Sequence, residues 1–145
     1  MLLVRRPLAA IVIALGVAVP GCGSSRTPSI PASGRLVNAT PTSPGEVILT
    51  KLGATRIGVQ TAAVRAAPTA ERVAIPYSAV IYDPSGKTYV FTNVRPLTYV
   101  EVPITVEHIS GNSAYLSTGP NPGAKVVSVG AEELYGVQTG VLAQT

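Results

Sequence analysis

The sequence predicts an all-β domain, a small barrel or sandwich of six to eight short strands with one or two short helical turns. Three observations carry this expectation. Val100, Val102, Ile104 and Val106 occupy every second place, while Tyr99, Glu101, Pro103, Thr105 and Glu107 fill the other face. That period of two is the mark of a strand with one buried and one wet face. Asp83-Pro84-Ser85-Gly86 has proline second and glycine fourth, as a type I hairpin turn requires. Short apolar runs recur between clusters of Gly, Pro, Asn and Ser along the second half of the chain, the spacing of a small β-domain.

Residues 1–21 precede this domain and read as a signal segment, a short apolar helix. Arg5 and Arg6 supply the positive start, and Leu8 to Val19 form an uncharged run of 12 residues. A helix needs roughly 20 apolar residues to cross a bilayer, so the run reads as a secretory signal and not as a transmembrane helix. Pro20-Gly21-Cys22 closes it. A cysteine at this boundary resembles the bacterial lipobox, although Pro20 is less usual there. The resemblance implies cleavage before Cys22 and lipid on its new N-terminus, and so a protein tied to the extracytoplasmic face of a cell membrane. The alternative is a plain signal peptide with an incidental cysteine. Two acyl chains anchor stably where one does not.

Residues 22–45 are expected to be a flexible tether. The stretch is rich in Pro, Gly, Ser and Thr and has too little apolar surface to offset the entropy of ordering. Residues 46–145 form the expected β-domain. Val47-Ile48-Leu49 starts a strand, and Thr50 is placed to cap one or two helical turns over TKLGATR, with Gly53 weakening that expectation. Ile57 to Val64 returns to strand. Ala79 to Tyr82 and Lys87 to Val94 flank the hairpin turn. Pro103 cannot donate to a ladder, so its part of the strand lies at an edge or a bulge. Ser110-Gly111-Asn112 is the next turn, Lys125 to Val129 the last clear strand, and Gly130 to Gly136 a short helical turn with Glu132 and Glu133 near its start.

The segments Val73 to Val80 (VAIPYSAV) and Lys87 to Phe91 (KTYVF) resemble the closing part of periplasmic adaptor subunits, the membrane fusion proteins of resistance–nodulation–division efflux pumps. The likeness continues through VPITV at 102–106, PGAKVV at 122–127 and GAEELYG at 130–136. It spans about 65 residues and implies the membrane-proximal β-domain that docks on the pump. Glu46 to Thr50 and Arg56 to Thr61 are similar to the segment before that domain in metal-efflux adaptors. A long amphipathic helical hairpin and a lipoyl half-motif, both features of complete adaptors, are not visible, so bridging of two membranes is not expected.

Composition narrows the chemistry. The chain carries a net charge of +4, but Arg5 and Arg6 belong to the signal, and residues 46–145 hold seven charges of each sign. A neutral domain lacks the basic footprint of nucleic-acid binding. No second cysteine exists for an internal disulfide. His108 is the only histidine, and its neighbour Glu107 points to the opposite face of a strand, which speaks against general base work. Asp83 suits a turn cap, and Glu132 and Glu133 suit a helix start. Met1 is the only methionine, so a metal site is not expected, nor is a cofactor. The tyrosines remain as contact candidates. Tyr99, opposite the Val/Ile stripe, is the one expected to be exposed and to meet a partner. The function expected is non-enzymatic docking on an integral transporter; the alternatives are a surface lipoprotein that binds a small ligand or cell-wall component, and a remnant with no partner.

Overall fold

The computed structural model describes residues 31–68 and 73–140; the signal segment, Cys22 and the first part of the expected tether lie outside them. The described chain is mostly strand, as the alternation predicts. The strands are β1 (Gly34–Val37), β2 (Glu46–Leu49), β3 (Gln60–Ala63), β4 (Arg65–Ala66), β5 (Val73–Pro76), β6 (Ile81–Tyr82), β7 (Thr88–Arg95), β8 (Thr98–Ser110), β9 (Ser113–Thr118) and β10 (Lys125–Val129), and the helices are α1 (Lys51–Ile57) and α2 (Ala131–Gln138). A single 3₁₀ turn spans Tyr77–Ala79.

The sheet runs β3-β10-β7-β8-β9-β5-β4. Its two ends, β3 and β4, are one stretch of chain: residues 60–63 pair with β10, and residues 65–66 pair with β5. Val64 between them donates to Ala124 O at 2.8 Å and accepts from Gly123 N at 2.9 Å. One segment thus serves both edges and nearly closes a barrel, which limits the open edges an all-β chain presents.

Two cores follow from this closure. Inside the barrel lie Val64, Ile75, Ala79, Val90, Ile104, Ala114, Leu116 and Val126. On its outer wall Phe91, Tyr99 and Val127 meet Val47 and Leu49 of β2, Ile81, and Ala131, Leu134 and Val137 of α2. Neighbouring residues of one strand, Val90 with Phe91 and Val126 with Val127, are all fully buried because both faces of the wall are covered.

Two expectations are corrected by this arrangement. The tether was expected to run to residue 45, yet β1 lies within it, paired antiparallel with β2 from Gly34↔Leu49 to Val37↔Glu46. Leu36 packs against the outer core; this apolar contact is what the average composition of the stretch conceals. Tyr99 was expected to be exposed, and it is only 5% exposed. It pairs with Val47 on one side and Asn93 on the other, and the outer core covers its ring.

Local details match the residues. Thr50 caps α1, its Oγ1 accepting from Gly53 N at 2.9 Å. The β6–β7 turn is held by Gly86 N to Asp83 O at 2.9 Å, with Gly86 at φ +82°, a conformation glycine adopts without cost. Asp83 Oδ1 accepts from the Ser85 and Lys87 amides and from the Ser85 hydroxyl, which lowers its pKa, the hydroxyl contributing most. Pro103 pairs with Tyr89 on one side. On its other side β8 pairs with β2 as far as Val100 and with β9 from Thr105. The imide nitrogen falls in that gap, where no donor is needed.

Candidate functional site

The 3₁₀ turn after β5 builds one end of the barrel. Tyr77 N donates to Asn112 O at 2.8 Å, Val80 N to Tyr77 O at 3.0 Å, and Ser78 Oγ to Ser128 O at 2.9 Å. Ala79, fully buried, closes the interior beneath them. The turn therefore cannot fold inward, and it leaves Tyr77 43% and Tyr82 51% exposed. Desolvation, and then the neighbouring Tyr77 hydroxyl, raise the Tyr82 pKa. Shallow openings flank them: about 320 Å³ beside Tyr77, Ser78 and Asn112, and about 570 Å³ beside Tyr82, Thr88, Tyr89, Pro103 and Thr105. Two tyrosines with apolar bodies and wet tips are contact chemistry. They stand where Tyr99 was expected to.

A second feature lies on the other side of the wall. Glu101, expected to be wet, is 9% exposed, and Gln138 at the end of α2 donates to it through Nε2. Burial raises the Glu101 pKa, the Gln138 bond partly offsets this, and the charge of Asp83 raises it further. Gln138 Oε1 is buried without a partner. A cleft of about 310 Å³ opens beside them, lined in part by Leu36, Pro44, Tyr89 and Tyr135. The sequence signal for Glu101 was its place two residues from Tyr99 on the same face, which the outer core and α2 cover.

The other candidates stand apart from these features. His108 is exposed and stacks on Tyr115 across the β8–β9 pair, centroids 4.5 Å apart and planes 5° from parallel. Glu132 and Glu133 occupy the first turn of α2. Among the described residues no three His, Cys, Asp or Glu side chains gather as metal ligands, and no helix is long and apolar enough to cross a membrane. Neither a protein-family model nor a curated protein sequence matches this chain.

Proposed function

We propose that this chain is a non-enzymatic lipoprotein, held on the extracytoplasmic face of a bacterial cell membrane through Cys22, that docks on an integral transporter of the resistance–nodulation–division type and assists export. The observation that carries the reading is the exposed pair Tyr77, on the 3₁₀ turn, and Tyr82, on β6. Both flank or lie within the segment that resembles the pump-docking domain of adaptors. Rigid aromatic anchors lose little entropy on binding and are frequent interface hot spots. A filled barrel interior, with eight buried side chains, weighs against the reading as a small-ligand carrier, which needs a preformed apolar pocket.

The test is purification of the mature lipoprotein from detergent-solubilised membranes, with identification of what accompanies it. An integral transporter is expected, and Tyr77→Ser/Tyr82→Ser is expected to lose it while folding normally. Recovery of no transporter, under conditions that keep known pump complexes intact, overturns the proposal.

A further inference from the structure

The N-terminal strap is already fixed to the domain by residue 33, within the stretch that composition reads as tether. Ser33 O accepts from Thr50 N at 3.0 Å and from Thr50 Oγ1 at 3.3 Å. The strap crosses α1 at Gly53, where a Cβ would stand 1.8 Å from Ser33 O; only glycine permits that crossing. Arg56 reaches back to Pro31 O at 3.5 Å. Ten residues, 23–32, therefore stand between Cys22 and Ser33, which is bonded to the α1 cap. Fully extended, the eleven peptide steps from Cys22 to Ser33 span at most about 36–40 Å.

The face of α1 turned away from the barrel has its own chemistry. At 100° per residue, Lys51, Leu52, Thr55 and Arg56 fall within about 140° of arc, and all four are exposed, Leu52 at 47%. Gly53, Ala54 and Ile57 occupy the inner side. The helix carries no acidic residue, and among the described residues neither Lys51 nor Arg56 forms an ion pair. Arg26 adds a further cation to the leash itself.

We infer that this face of α1 is a headgroup-contact surface, laid against anionic lipid by the short leash. The inference rests on the Cys22 anchor proposed above, but not on the transporter. Lys51 and Arg56 meet lipid phosphates, and Leu52 enters the boundary beneath them, the division of labour of an interfacial amphipathic helix. Two cations alone bind a bilayer weakly. The anchor makes the contact intramolecular, so a weak surface is enough to set orientation.

The experiment uses the mature, lipidated protein in vesicles. With Cys22 capped by lipid, Thr55→Cys supplies the only reactive thiol for an environment-sensitive fluorophore, and Ser85→Cys on the β6–β7 turn is the comparison site. Quenching by lipid-borne quenchers is read in vesicles of phosphatidylglycerol with phosphatidylcholine, and in phosphatidylcholine alone. Strong quenching at position 55 on the anionic vesicles and little at 85 supports the surface. Lys51→Gln and Arg56→Gln are then expected to lower the contact equilibrium about fivefold each. Protein that floats with the vesicles yet shows no quenching at 55, or quenching indifferent to lipid charge, overturns the surface and leaves the anchor standing. Protein that does not float with vesicles overturns the anchor and this inference together.

Discussion

The two cores share one wall and differ in how they are shut. The inner one is closed by the sheet itself, with segment 60–66 pairing at both ends, and it is built on a cluster of Val, Ile, Leu and Ala. The outer one is closed by separate pieces, α2, the β1–β2 hairpin and α1, and admits a tyrosine, a carboxylate and an amide. A core closed by continuous pairing opens only when the whole sheet opens. One closed by attached pieces can lose them singly, and it tolerates polar groups because its margin is near water.

That contrast is most directly challenged by Leu116→Ala, inside the barrel and fully buried. A loss of about 2–5 kcal/mol is expected, with one cooperative urea transition in which the probes of both cores move together. An inner-core probe that unfolds before the outer one would break the comparison. Next in size is Gly53→Ala. In a free helix alanine gains about 0.8–1 kcal/mol over glycine, but here its Cβ collides with Ser33 O. A net loss of about 1–3 kcal/mol is expected from overpacking. Amide exchange is expected to show residues 34–37 losing protection while the barrel amides keep theirs. A stabilised variant would mean that the strap is not pinned at α1.

The smallest effect has the opposite sign. The Glu101 pKa is raised in the folded state by burial, so the native protein holds that proton more tightly than the unfolded chain. Stability then falls as pH rises from the ordinary glutamate range through the raised value, and stays lower above it. Asp83, with its pKa lowered, acts in the opposite sense and only at pH below the ordinary aspartate range. Glu101→Gln is expected to abolish the decline in mildly acid solution and to be slightly more stable at pH 7, since the new amide can donate to Gln138 Oε1. Denaturant titrations at several pH values read this, and an unchanged pH profile would sink the assignment.

Sequence reasoning reached the barrel's punctuation better than its covering. The Asp83 turn, the Thr50 cap, β10 and the carboxylates of α2 were all readable because each is a local matter of φ preference, capping or alternation. Pro103 was also placed correctly, at a point where one side of β8 lacks a partner. Tyr99 and Glu101 were misplaced because alternation identifies two faces but not how many are covered. β1 was hidden for a related reason: its four residues gain their contacts from β2, about a dozen residues away, and composition averages such pairing out. The exposure of Tyr77 and Tyr82 depends on a turn fixed to Asn112 and Ser128, contacts that no local pattern announces.

The Ser33 clasp has a mechanical consequence. Under the proposed Cys22 anchor, load would reach the domain from its N-terminal side. Tension along the leash meets the Arg56 contact at Pro31 first, then the two Thr50 bonds, then the antiparallel pairs Gly34↔Leu49 and Arg35↔Ile48. These rungs take the force one at a time, as a zipper does, and yield at low load. The barrel lies beyond α1 and is spared until the hairpin has paid out its slack. With the proposed anchor in place, the β1–β2 hairpin would serve as a shock absorber ahead of the barrel.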